Sequence, residues 1–152
     1  MNINDFLAPY IITNVLSLLM ILICWKKPKS GNIIWGFVFL AAGLLNLFHG
    51  ITKPASYLDY ANMAVFPFLR DIINGPFSRM TTPIIALIAV GQMMVGFFLL
   101  YRSGRLNRLG IAGGTLFLIC IAPLGVGSAF PASLLMAASL ILIYIHLPPP
   151  RE

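Results

Sequence analysis

Apolar residues occur along this chain in long, nearly uninterrupted runs, and polar residues are concentrated in the segments between them. Residues 6–25, 32–51 and 82–101 each approach the ~20 apolar residues that a helix needs to cross a hydrocarbon core about 30 Å thick. Pro83 falls in the first turn of the third run, where its missing N–H costs least. The pattern therefore predicts three membrane-spanning helices at these positions.

A fourth apolar stretch, residues 109–147, is too long to be one span. As a single helix its 39 residues would extend about 60 Å, roughly twice the hydrocarbon core. A Gly-Val-Gly-Ser segment at residues 125–128, between Pro123 and Pro131, predicts a tight turn within it. The expected fold is an all-α membrane protein of one domain, residues 1–152, with five spans at residues 6–25, 32–51, 82–101, 109–124 and 130–146.

Composition supports the membrane assignment and excludes several other classes. The chain is 59% hydrophobic and only 9% charged, whereas a soluble domain carries roughly 25% charged residues. This excludes a soluble globular enzyme, a disordered tail and a disulfide scaffold. The net charge of +6 comes from residues scattered through short loops, so it indicates topology rather than a nucleic-acid interface.

Lysine and arginine are distributed unevenly between the two ends of such a bundle. With the N-terminus outside, seven basic residues face the cytoplasm (26, 27, 29, 102, 105, 108 and 151) and three face outward (53, 70 and 79). Cytoplasmic loops carry the excess of Lys and Arg, so we expect the N-terminus outside and the C-terminus inside. Asp5 in the lead-in and the basic cluster after the first run favour a retained helix over a cleaved signal peptide. We expect location in a cell membrane, specifically a bacterial inner membrane.

The outer loop, residues 52–81, is too apolar to extend freely into water. Apolar and aromatic residues alternate there with Asp59, Arg70 and Asp71, which predicts short amphipathic helices around 57–66 and 68–74, broken at Pro67 and Pro76. Such a segment either caps the helix ends or acts as a lid or docking surface for a lipophilic ligand or a partner protein. Both interpretations are compatible with the sequence.

Candidate ligand contacts cluster at the outer end of the second span. Asn46 and His49 are three residues apart and share a helix face, with Lys53 one turn further on. His49 is either an interfacial histidine bonded to a loop carbonyl or a donor to a ligand such as a quinone carbonyl. The residues predicted to contact a ligand are Asn46, His49, Lys53, Tyr57, Tyr60, Phe66 and Arg70.

Other polar side chains within the spans are expected to hold helices together. Asn14 on the first span and Gln92 on the third are interpreted as packing residues that hydrogen-bond other helices. No Cys/His set has metal-ligand spacing, and the two histidines, His49 and His146, are predicted near opposite membrane surfaces. We therefore predict no metal and no resident cofactor, a quinone being the one exception to consider.

From the second span onward the chain resembles the DoxX-like family of small bacterial membrane proteins. The resemblance is carried by the helix at residues 34–47, the Gly91-Gln92-Met93-Met94 helix with the basic turn after it, and the hairpin at residues 123–132. It implies a four-helix core, to which this chain adds one N-terminal helix. By resemblance, such proteins serve as membrane subunits or partners of redox enzymes, including thiosulfate–quinone chemistry, or as assembly factors.

Three functions are consistent with these observations. The first is a non-enzymatic partner or assembly subunit of a membrane-associated, redox-linked complex, with a protein partner or a second copy of the chain. The second is the membrane subunit of a quinone-linked oxidoreductase. The third is a binding protein or carrier for a lipid-like molecule. No catalytic motif is present in the sequence, so we expect no catalysis by the chain on its own and no nucleic-acid partner.

Overall fold

The computed structural model describes residues 3–101 and 104–146, and the regular structure among them is helical, without strands. The helices are α1 (Ile3–Lys26), α2 (Pro28–Thr52), α3 (Tyr60–Met63), α4 (Pro67–Ile72), α5 (Thr81–Tyr101), α6 (Gly104–Ile121) and α7 (Ala132–His146). Among these residues, three stretches are long and apolar enough to cross a membrane: Pro28–Thr52, Thr81–Tyr101 and Gly104–Gly125. Tyr10–Lys26 and α7 are shorter apolar helices.

Helices therefore occupy all five predicted positions, but α1, α2 and α6 begin three to five residues earlier than predicted. α2 starts at Pro28 instead of residue 32, with the proline in its first turn, where a missing N–H is tolerated. α6 starts at Gly104 instead of residue 109. The sequence predicts a loop for its polar first turns, whereas Asn107 is buried there and donates to the Leu99 carbonyl at 2.9 Å.

α2 and α5 form the most extensive helix pair, and glycines set how closely they approach. Gly36, Gly43 and Gly50 recur every seven residues on the α2 face that meets α5. A Cβ on Gly43 would lie 2.8 Å from the Ala89 carbonyl oxygen, and one on Gly96 would lie 2.7 Å from the Gly36 carbonyl oxygen. The heptad spacing keeps one face toward the neighbour, and the missing side chains let the two backbones touch.

Side-chain hydrogen bonds fasten this pair at both ends. Asn32 donates to the Leu99 carbonyl at 2.7 Å, the same carbonyl that accepts from Asn107. At the opposite end, Thr82 donates to the Gly50 carbonyl at 3.0 Å. Both carbonyls belong to the last turn of a helix, where no intrahelical N–H is available to them. The pairings show that α2 and α5 are antiparallel.

The remaining long helices close a bundle around an apolar core. α1 packs on α7, α7 on α6 and α6 on α5, while α2 contacts α1, α5 and α7. Trp35 and Ser139 are buried and joined by a 2.9 Å hydrogen bond from the indole N–H to the hydroxyl. The core around them includes Cys24, Phe39, Leu99, Ile111, Leu118, Leu140 and Ile143.

The outward faces of the bundle are also apolar. Leu87, Leu116 and Ile145 are 74%, 63% and 67% exposed, which is the pattern of helices that face lipid on one side and each other on the other side. Lys26 lies at the end of α1, and Arg105 lies at the start of α6. The antiparallel packing brings these helix ends to the same end of the bundle. Arg102 and Arg151, assigned to that end from the sequence, lie outside the described residues.

Residues 53–80, which we term the outer cap, connect α2 to α5. The cap consists of a 3-10 helix (Pro54–Asp59), α3, α4 and a wide helical turn (Ile73–Phe77) that is kinked at Gly75. The prediction of short helices is confirmed, but their limits differ. Pro67 begins α4 instead of breaking a helix, because proline is accommodated in a first turn.

The predicted turn between the last two helices is also present. α6 passes into a 3-10 segment, Ala122–Ser128, in which Gly125 has φ +77°. Ala129 follows with φ +61°, and α7 starts at Ala132. The left-handed conformation at Gly125 is one that glycine adopts without steric cost. The turn lies at the same end of the bundle as the outer cap, and α3 packs against it.

Candidate functional site

Two adjoining cavities lie between the outer cap and the end of the helix bundle. The first, which we call the inner cavity, has a volume of about 330 Å³. The second, the vestibule, has a volume of about 410 Å³. Asn46, Tyr57 and Tyr60 line both and form the wall between them.

The inner cavity is mostly apolar and is built from the cap, α2, α5, α6 and the turn after α6. Its polar lining groups are Asn46, Gln92, Ser128 and the two tyrosines. The Ser128 hydroxyl donates to the Gly125 carbonyl at 2.9 Å, so its proton is already engaged. The apolar lining consists of Leu69, Ile72, Ile73, Phe77, Ile85, Ile88, Phe117, Ile121 and Leu124.

A chain of three side chains crosses one side of this cavity. The Tyr57 hydroxyl donates to Asn46 Oδ1 at 2.9 Å, and Asn46 Nδ2 donates to Gln92 Oε1 at 2.7 Å. Asn46 is half-buried and Gln92 is 5% exposed. Buried side-chain amides of this kind require partners, and here they bridge α2, α5 and the cap.

Tyr57 and Tyr60 form a stacked pair in the dividing wall. Their ring centroids are 6.2 Å apart and their planes are inclined by 16°. Burial raises the pKa of Tyr60. The pKa of Tyr57 is also raised, mainly by burial and to a smaller extent by the negative charge that Tyr60 carries when ionised. Both phenols therefore stay protonated at neutral pH, and Tyr57 keeps the proton it donates to Asn46.

The vestibule is more polar than the inner cavity. His49, Lys53, Ser56 and Asp59 line it, together with Met63 and Gly127. His49 is exposed and, among the described residues, its ring makes no hydrogen bond. In the part of the chain that the structure describes, the His49 ring therefore makes no bond to a loop carbonyl, contrary to one interpretation of the sequence. The ring packs on Phe48, with 5.7 Å between the ring centroids, and the His49 backbone carbonyl accepts from Lys53 N–H at 2.8 Å.

The cap is fastened over the inner cavity by backbone contacts with the turn after α6. Val65 N–H donates to the Pro123 carbonyl at 3.0 Å. A Cβ on Gly125 would collide with the Met63 carbonyl oxygen, so a glycine is needed where the two segments meet. Of the two expectations for the outer loop, the structure shows the capping arrangement directly, with the cap lying over a cavity.

Five of the seven predicted contact residues surround these cavities. Asn46, Tyr57 and Tyr60 line both cavities, while His49 and Lys53 line the vestibule alone.

Phe66 and Arg70, also predicted as contacts, line neither of these cavities. Phe66 is exposed and stacks on Phe68 at 5.7 Å. Arg70 instead donates from Nε to the Ala61 carbonyl at 3.2 Å and so links α4 to α3.

The two polar residues assigned to helix packing behave differently. Gln92 joins α5 to α2 through Asn46, as predicted, but it also lines the inner cavity. Asn14 donates to Tyr10 within its own helix, at 2.9 Å. The apolar lining from α6, such as Phe117 and Ile121, was not singled out from the sequence, because nothing distinguishes these residues from lipid-facing ones until the helices are packed.

No group of three or more His, Cys, Asp or Glu side chains that could hold a metal ion occurs in residues 3–101 and 104–146.

In comparisons with protein-family models, curated proteins and solved structures, nothing matches the chain. The geometry of the cavities is therefore the basis for assigning a function.

Proposed function

We propose that this chain is a membrane protein that binds a lipophilic small molecule in the inner cavity, beneath the outer cap. The observation that supports this most is the cavity itself: about 330 Å³, apolar on most of its surface, with a small number of polar lining groups. Small-molecule sites have this character, with volumes of about 300–1,000 Å³ and a few convergent polar groups. The proposal corresponds to the third function considered from the sequence.

Helix packing alone gives little reason for such a space. The same chain packs α2 on α5 so tightly that a single methyl group would clash, whereas beside this interface the helices and the cap leave a space of about 330 Å³. A cavity maintained beside that interface, and covered by a cap with its own hydrogen bonds to the bundle, is better explained by an occupant. Because its walls are apolar, the occupant is expected to come from the lipid phase.

The partner-subunit and quinone-linked functions are compatible with this proposal but are less directly supported. His49, assigned a ligand-bonding role in the quinone hypothesis, lines the vestibule rather than the inner cavity. A protein partner, a homo-oligomer and the DoxX-like assignment stay predictions. The chain is proposed to act by binding, without catalysis of its own.

We propose further that all five long helices cross the membrane, with the N-terminus outside and the C-terminus inside. α1 has 24 residues, about 36 Å at 1.5 Å per residue. α7 has 15 residues, about 22 Å, and packs between α1 and α6. A short helix held in this way can cross where the bilayer thins or flanking residues reach the interface.

Cysteine accessibility tests this topology. In a background of Cys24→Ala and Cys120→Ala, Lys29→Cys and Asp71→Cys place single thiols at opposite ends of the bundle. We expect a membrane-impermeant maleimide to label position 71 from outside intact cells and position 29 only after permeabilisation. The reverse pattern refutes the orientation, and labelling of both positions from one side refutes the antiparallel placement of the helix ends.

Photolabelling tests the binding site. Benzophenone is a lipophilic probe that inserts into nearby C–H bonds on irradiation, so its attachment sites map the cavity it occupies. We expect labelled peptides from the cap, α5 and α6, and loss of this labelling in Ile88→Phe, which fills the inner cavity. Leu87→Phe is the matched control, because Leu87 precedes Ile88 and is 74% exposed. Equal labelling of the two variants contradicts the proposed function.

A further inference from the structure

We infer that the molecule bound in the inner cavity carries a hydrogen-bond acceptor, most simply a carbonyl oxygen, and that the Gln92 side-chain amide donates to it. This inference rests on the proposed function and specifies the chemical class of the ligand. It transfers the ligand-bonding role from His49, expected from the sequence, to a residue assigned there only to helix packing.

The first observation is an unused donor in a buried amide. Gln92 is 5% exposed, and its Oε1 accepts the 2.7 Å hydrogen bond from Asn46. Among the described residues, its Nε2 has no hydrogen-bond partner, and the side chain lines the inner cavity. An N–H that faces an apolar cavity without a partner is unfavourable, so an acceptor placed in the cavity would satisfy it.

The second observation is the direction of the hydrogen-bond chain. Tyr57 donates to the Asn46 carbonyl oxygen, and the Asn46 amide donates to the Gln92 carbonyl oxygen. Each amide oxygen is already engaged, so the end of the chain that reaches the cavity presents N–H groups. Hydrogen bonds in such a chain strengthen one another in a medium of low dielectric constant. The site is thus set to favour acceptors such as ketones, quinones or esters over plain hydrocarbons.

A competing donor is the Tyr60 hydroxyl, which also lines the cavity. Tyr60 is only half-buried and borders the vestibule as well, so its hydroxyl has access to water there. Gln92 lies on α5, deep in the bundle, where the ligand is its available partner. We therefore assign the acceptor contact to Gln92.

Two probes of nearly the same shape test the inference. Benzophenone and diphenylmethane differ by a carbonyl oxygen in place of two hydrogens, and diphenylmethane affinity is measured by its displacement of the benzophenone photolabel. In the wild-type protein we expect benzophenone to bind about three- to tenfold more tightly, the effect of one net hydrogen bond. Gln92→Met should abolish that preference, while Tyr60→Phe should retain it.

The outcomes separate this inference from the proposed function. If both probes bind with equal affinity and Ile88→Phe removes both, the site is lipophilic but the acceptor contact is wrong. If Ile88→Phe affects neither probe, the proposed function itself is wrong. A preference that persists in Gln92→Met and disappears in Tyr60→Phe overturns the assignment to Gln92.

Gln92→Met also removes the acceptor of the Asn46 amide and therefore affects the fold as well as the site. A second measurement avoids this by using the wild-type protein. The infrared carbonyl band of ¹³C-labelled benzophenone bound to wild-type protein should shift to lower frequency than in detergent alone, as expected for a hydrogen-bonded ketone. A band at the detergent position overturns the inference.

Discussion

Replacing Gly43 with alanine tests whether close backbone contact between α2 and α5 holds the site together. The added Cβ would lie 2.7 Å from Met93 Cγ, 2.8 Å from the Ala89 carbonyl oxygen and 3.1 Å from the Met93 amide nitrogen. The methionine side chain can move, but the two backbone atoms move only if the helices separate. Gly91→Ala is the matched control on α5, since a Cβ there would meet nothing within 4 Å among the residues that the structure describes.

The two variants share one effect and differ in another. Alanine is favoured over glycine inside a helix by about 0.5–1 kcal/mol, and this gain is common to both. Inserting a methyl group into a tight contact costs about 1–3 kcal/mol. The common gain cancels in the comparison, so Gly43→Ala should be less stable than Gly91→Ala by about 1–3 kcal/mol.

Unfolding of the two variants in the same mild detergent, followed by circular dichroism as a denaturing detergent is added, measures this difference. We expect Gly91→Ala to match or exceed the wild type and Gly43→Ala to unfold first. Benzophenone labelling should also fall in Gly43→Ala, because separation of α2 from α5 lengthens the Asn46–Gln92 hydrogen bond. If the two variants unfold together, the heptad of glycines does not set the helix spacing and the reasoning is refuted.

Three further predictions concern other contacts. Trp35→Phe should cost about 0.6 kcal/mol and up to about 2, and in a double-mutant cycle with Ser139→Ala a coupling energy of zero would exclude the indole–hydroxyl bond. The folded-state pKa values of Tyr57 and Tyr60 are raised, so the protein should keep the full contribution of these phenols to its stability below about pH 10, the ordinary tyrosine pKa. Above that pH the free energy of unfolding should fall. Thermal melts should show a smaller fall in the variant with both tyrosines replaced by phenylalanine. Gly125→Ala should release the cap, seen as faster hydrogen exchange in residues 54–80, and unchanged exchange would show that the cap is held elsewhere.

The helical elements could be predicted from the sequence because lipid imposes simple requirements. Five apolar runs separated by basic or glycine- and proline-containing segments predict five helices, and each is present. The starts of α2 and α6 differ from the prediction because polar residues there are helical. α2 begins with the Pro-Lys-Ser-Gly segment at residues 28–31. At the start of α6, Asn107 donates to the Leu99 carbonyl at the end of α5, and no local pattern shows which distant carbonyl lacks a partner.

The candidate site could be predicted only in part. Asn46 and Tyr57 were identified because polar and aromatic residues near a helix end are conspicuous in an apolar chain. The second role of Gln92 was missed, because a mid-span amide bonding another helix and an amide facing a cavity look the same in sequence. Here Gln92 does both. Phe66 and Arg70 were included by their proximity in sequence to the cap, although their side chains contact other parts of it.

The sequence by itself determined that this chain forms apolar helices joined by polar segments, because a span of given length must satisfy its own backbone hydrogen bonds in lipid. It also determined where the chain turns, at the Gly- and Pro-containing segment after α6. Only the tertiary structure decided which apolar faces meet each other and which enclose a cavity. That choice depends on the register of α2 against α5 and on where the cap packs on the bundle. Both are set by many contacts between residues that are far apart in the chain, which no local sequence pattern records.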